Sequence, residues 1–261
     1  MFATLLSPAD FSPTQEGRIA AVAALGGPFF TTSLEELAAA RAAGLQGALV
    51  IEDSGSPEML AAVTAALQTE AEIIAIRTTA LALSEADQAE PDRALQIARL
   101  AAALAAGEGR HRMLICVDAP LAPISGAEWG ALPAESLLID PIADPDAWRA
   151  AANLPGDRGL ILALVGSAGD PIEAREVLLW GLQYAASLGG RGGARVGFTE
   201  RPAKVRGGGE RAVHPDLAAA THRALADLLR LTAADAETLK RDLDPRSISP
   251  AATHLAARKR E

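Results

Sequence analysis

The sequence predicts an α/β protein built as a (β/α)8 barrel, and three observations carry that expectation. Eight apolar runs of strand length alternate with amphipathic runs of helix length at roughly 25–35-residue spacing, whereas open doubly wound sheets usually stop at five or six strands. The chain has 261 residues, close to the ~250 common for such barrels. Each apolar run ends on charged or hydroxyl side chains, as strands do where they reach the loop-built face of a barrel.

The clearest unit spans residues 159–202. A continuous apolar run, 159–165, suits a strand covered on both faces, and 172–188 has helix length and helix formers. Asp170 and Pro171 stand where an N-cap and a first helical residue belong, and Gly189 and Gly190 where the helix must stop. A second apolar run follows and ends on Thr199, Glu200 and Arg201. The pattern is β-α-β, with parallel strands and a right-handed crossover.

The same pattern runs, more loosely, from the N-terminus. Strand 2–6 precedes a Ser/Pro/Asp turn and helix 15–25, which Gly26 and Gly27 end. Strand 28–32 leads to helix 34–43, where Ser33 and Glu36 form a capping box and Gly44 closes the helix. Strand 48–51 ends on Glu52 and Asp53, and Ser56 and Pro57 begin a helix that runs to Leu67. Strand 72–76 ends on Arg77, Thr78 and Thr79, followed by a polar loop and helix 92–106. Strand 113–117 ends on Asp118, and its crossover, 119–135, holds only a short helical piece around Glu128 and Trp129. Strand 137–139 ends on Asp140 and Pro141, with a helix over about 145–153; after strand eight, 215–231 is the closing helix. The expected division is a barrel over 1–231 and a helical tail over 232–261 with the basic end Arg258, Lys259, Arg260.

Composition narrows the function classes. A net charge of −9 argues against a nucleic-acid surface, which needs excess Lys and Arg. One cysteine, Cys116, excludes an internal disulfide and any multi-cysteine metal centre. No run approaches the roughly 18 apolar residues of a membrane span, and the N-terminus lacks a signal pattern, so a cytoplasmic protein with no membrane partner is expected. A homo-oligomer is compatible with all of this, and no cofactor is indicated. The four histidines, His111, His214, His222 and His254, form no metal-ligand spacing.

The strand ends are therefore the expected site. Asp118 and Asp140 are the candidates for proton transfer, and Glu52, Arg77, Arg201 and Ser167 for substrate binding, because carboxylates set around arginines can hold an anion and shift one acid's pKa. Each is also explained singly as a helix cap or a solvated loop residue. The segment 201–215 adds three consecutive glycines with Lys204 and Arg206 ahead of a helix N-terminus, a pattern suited to phosphate.

From strand five to strand eight the chain resembles the C-terminal barrel of cobalamin-independent methionine synthases, whose superfamily includes the uroporphyrinogen decarboxylases. Leu114-Ile115-Cys116 stands at the family's His-x-Cys pair, Leu137-Leu138-Ile139-Asp140 at its glutamate, and Gly197-Phe198-Thr199-Glu200-Arg201-Pro202 at its second cysteine. The resemblance implies a barrel and, in the family, a thiol-activating zinc. Leu114 replaces the histidine and no cysteine follows strand eight, so Cys116 and Asp140 leave that zinc half coordinated. The expectation is a barrel enzyme, methyltransferase-like or lyase-like, acting on an anionic small molecule without a complete zinc site. The alternatives are a phosphate-binding lyase or isomerase and a non-catalytic barrel serving as a partner subunit.

Overall fold

The computed structural model describes residues 1–53, 58–82, 90–166, 172–202 and 215–243, with backbone alone for 90–92. Its eight strands are β1 (Phe2–Ala3), β2 (Phe29–Thr31), β3 (Gly47–Glu52), β4 (Ile73–Arg77), β5 (His111–Cys116), β6 (Ser136–Ile139), β7 (Gly159–Val165) and β8 (Val196–Glu200). They pair in parallel in the order β1-β8-β7-β6-β5-β4-β3-β2. The ends of that order meet through a bridge between Leu5 and Phe29, beside which the Thr4 hydroxyl donates to the Pro28 carbonyl. The sheet is thus a TIM-type barrel. Its first strand, expected over 2–6, runs over Phe2–Ala3; past it the Thr4 amide still donates to the Phe198 carbonyl, and Leu5 turns to the other neighbour, Phe29.

Interleaved with the strands are α1 (Gln15–Ala23), α2 (Leu34–Ala42), α3 (Glu58–Ala66), α4 (Glu90–Ala106), α5 (Gly126–Ala131), α6 (Ala147–Asn153), α7 (Arg175–Ser187) and α8 (Pro215–Thr232). A last helix, α9 (Ala236–Asp242), docks on α7 and α8: Arg230 pairs with Asp242 at 2.8 Å, Arg175 donates to the Asp242 carbonyl, and Leu243 enters the core. No helix among the described residues is long and apolar enough to cross a membrane.

The unbroken apolar strands follow from burial on both faces. Alternate residues of β5 separate cleanly: Met113, Ile115 and Val117 pack inside the barrel with Phe30, Ala75 and Leu138, while Leu114 and Cys116 pack outward among the helices. In the weak fifth crossover, Trp129 compensates for a helix of only six residues. It is fully buried, and its indole N–H donates to the Ala150 carbonyl at 3.1 Å.

Local signals were kept in part. Gly44, at φ +81°, ends α2 in the left-handed conformation that a side chain would strain. The capping box expected at Ser33 is half formed. Ser33 accepts from the Glu36 amide, but the Glu36 carboxylate is drawn away to Arg18 and the Thr31 hydroxyl. A complete box forms instead at Ser125 and Glu128. Helix α7 begins at Arg175 behind Ala174, so residues 172–174 are not helical; the expected caps Asp170 and Pro171 lie outside the described residues. The outer face of α7 leaves Val177, Trp180 and Tyr184 exposed, with Trp180 stacked on Tyr184 at 5.3 Å.

Candidate functional site at the barrel mouth

Parallel register brings the predicted charges together. Glu52 lies beside Arg77, and Arg77 beside Ile115, three residues before Asp118. Residues 48, 73 and 75 face the barrel interior, so by alternation Glu52 and Arg77 continue that face to the mouth. Arg77 grips Asp118 in a two-pronged pair, Nε to Oδ2 at 2.7 Å and Nη2 to Oδ1 at 2.5 Å, with Glu52 at 3.9 Å. The hydrogen bonds that Arg77 donates to Asp118 raise the guanidinium's already high pKa. Both partners keep solvent contact, their side chains being 25% and 33% exposed.

On the other side of the mouth, Asp140 and Arg201 form a second pair, Oδ2 to Nε at 3.2 Å, across the end of β7. These residues are buried, 5% and 7% exposed. The other oxygen of Asp140 accepts from the amides of Ile142 and Ala143, so this carboxylate is held by three donors. Next to Arg201, Glu200 is buried and accepts from the amides of Leu6 and Ser7 and from the Thr199 hydroxyl. Burial pushes its carboxyl above the usual range, and those three bonds pull it back. Asp53, just past β3, accepts from the Thr78 hydroxyl and from Arg99 of α4, tying two strand ends to the helix layer.

Of the sequence-derived site residues, Glu52, Arg77 and Asp118 form one group and Asp140 with Arg201 another. Ser167, Lys204 and Arg206 lie outside the described residues, as do residues 54–57 and 83–89, so the loops after β3, β4, β7 and β8 are described only in part. Arg99 escaped sequence reasoning as a participant, and Glu200, read only as one of the polar groups ending strand eight, gained its partners from the fold. The Glu200 partners Leu6 and Ser7 are 194 and 193 residues away, a distance at which no local pattern carries a signal.

The zinc implied by the resemblance does not fit these residues. Cys116 belongs to the outer face with Leu114, and burial pushes its thiol up to about 12, far from the thiolate a metal binds. Asp140 lies on the other face of the sheet, occupied by Arg201. Among the described residues, no group of three His, Cys, Asp or Glu side chains could hold a metal ion.

No protein-family model and no curated protein sequence matches the chain. In overall shape it is similar to the crystal structure of a protein assigned as a vitamin-B12-independent methionine synthase from Listeria monocytogenes. The TM-score is 0.56 and the identity 10%, over 80% of this chain and 73% of that one. At that identity the likeness is one of fold, and the fold it shows is the barrel.

Proposed function

We propose that the chain is a barrel enzyme that takes an anionic small molecule at the mouth, with Arg77 as its principal anchor. The observation that carries the reading is the two-pronged Arg77–Asp118 pair, part-exposed at the ends of adjacent strands. A guanidinium fork engages a substrate carboxylate in the same geometry it uses for Asp118, so the incoming anion replaces one charge-assisted pair by another at small net cost. Asp118 is then released without its cation. Freed of that pair, the Asp118 carboxylate faces the bound substrate as its proton acceptor. Arg201, oriented by Asp140, supplies a second positive group from β8, and Glu52 sets the edge of the site.

The test is a thermal-shift and calorimetric screen of small di- and tricarboxylates and phosphate esters against the wild type, Arg77→Ala and Asp118→Asn. Binding is expected in the wild type, lost in Arg77→Ala, and kept or strengthened in Asp118→Asn, which removes the competing internal carboxylate but also the proton acceptor. Equal binding by wild type and Arg77→Ala would sink the proposal. The phosphate-binding alternative rests on Ser167, Lys204 and Arg206, and the phosphate esters in the same screen address it.

A further inference from the structure

The opposite end of the barrel holds a cavity of about 560 Å3 that the mouth chemistry does not use. It lies at the N-terminal ends of the strands, where barrels are ordinarily packed for stability alone. The space opens to solvent at its rim, and a concave, partly apolar cleft of this size is the usual form of a small-molecule site.

Two features of the inward-facing layer create the space and give it character. The register sets Phe2 beside Gly197 and Ser136 beside Gly159. A methyl group at Gly197 would stand 2.4 Å from the Phe2 ring, and one at Gly159 would stand 2.4 Å from the Ser136 hydroxyl. Only glycine lets the ring and the hydroxyl take those positions. The inner wall is apolar, formed by Phe2, Ile73, Met113 and Ile161. The polar groups gather on one side: His111 Nε2 is 2.8 Å from Ser136 Oγ, and Ser136 is only 6% exposed. The charges nearest this pair are already matched, since Arg112 binds Glu135 with Nε at 2.9 Å. At the open rim stand Arg195 and Asp157, both exposed.

We infer that this end is a second ligand site, for a compact apolar molecule carrying one carboxylate head. The apolar body lies against Ile73, Met113 and Ile161. The head accepts the one proton that the His111–Ser136 pair has to offer, the other bridging the two groups, with Arg195 as its counter-charge at the rim. A purely apolar ligand would make no use of the part-buried His111–Ser136 pair, and a small hydrophilic anion would leave the apolar wall wet.

The experiment titrates the full chain with octanoate, using octanol and acetate as comparators, by calorimetry and thermal shift. Saturable octanoate binding near one per chain is expected, with octanol and acetate weaker by roughly tenfold or more, because each lacks one half of the recognition. His111→Gln and Arg195→Ala should each weaken octanoate by a similar factor, and Ile161→Trp, which fills the space, should abolish binding. Arg195 is on the exposed rim, so its variant reads the site even where Ile161→Trp does not fold. Arg77→Ala should leave octanoate binding unchanged, which separates this site from the mouth. Absence of saturable binding, equal binding by wild type and Arg195→Ala, octanol binding as tightly as octanoate, or loss of binding in Arg77→Ala would each overturn the inference.

Discussion

At the C-terminal ends of the strands the inward positions carry Glu52, Arg77, Asp140 and Arg201; at the N-terminal ends of the barrel strands they carry Ile73, His111, Ser136 and Gly159. The first set is charged and internally matched, with each arginine bound to a carboxylate. The second is neutral or apolar and surrounds empty space. The difference teaches that one barrel has two kinds of vulnerability. At the mouth, removing a group takes a charge-assisted bond from its neighbour; at the other end, removing an apolar group enlarges a space already there.

That contrast can be broken in three places. The largest effect is expected at the buried mouth pair. Asp140→Ala removes a carboxylate bonded to Arg201 in a site 7% exposed and leaves the amides of Ile142 and Ala143 without their acceptor, so a loss of about 3 kcal/mol is expected. Urea unfolding measures it, and a loss below about 1 kcal/mol would show that the pair is not what holds the β6 and β8 ends. A smaller effect is expected for Arg77 and Asp118, whose side chains are 25% and 33% exposed. A double-mutant cycle with Arg77→Ala and Asp118→Ala should give a coupling of about 0.5–1 kcal/mol that weakens as salt rises. A salt-independent coupling would mean that the mouth is drier than these exposures indicate, and would undercut the partner exchange proposed for substrate binding.

The smallest effect is expected at the cavity end and appears with pH. Burial lowers the pKa of His111 from its ordinary 6.5, with Glu135 opposing and Arg112 reinforcing the shift. The folded protein therefore binds this proton less readily than the unfolded chain does. The stability linked to His111 is fully present above about pH 6.5 and is lost as pH falls through that value toward the folded pKa. Between about pH 7.5 and pH 5 the wild type should lose more stability than His111→Gln, read as the difference in urea midpoints. Parallel pH profiles would show that the ring is solvated and that the cavity end is wetter than its apolar wall suggests.

Much of the fold was legible. The eight apolar runs, the glycine stops at Gly44 and after α7, and the charged or hydroxyl side chains at the strand ends are local patterns, and they map onto the elements of the barrel. Capping was less legible, since Glu36 has two possible masters: a helix amide within three residues and an arginine, Arg18, from the preceding helix. Charge-assisted pairing to Arg18 took it, and the box appeared at Ser125 and Glu128, where Glu128 closes on the Ser125 amide while also pairing with Arg93. For the site, the residue types at the strand ends were readable but their pairing was not. Arg77 with Asp118 and Asp140 with Arg201 are separated by 41 and 61 residues, so only sheet register could choose them.

What the sequence determined by itself is what period and composition can carry: parallel strands covered on both faces, helices between them, and charge collected where strands end. What only the tertiary structure decided is which face of each strand looks inward and what that face encloses. Cys116 and Asp140, aligned by resemblance as partners in one zinc site, are turned to opposite sides of the sheet by a period of two. The cavity is the extreme case. A cleft has no residue of its own; it exists because Phe2, Ile73, His111, Ser136 and Gly159, drawn from five strands, come together at one end of the barrel.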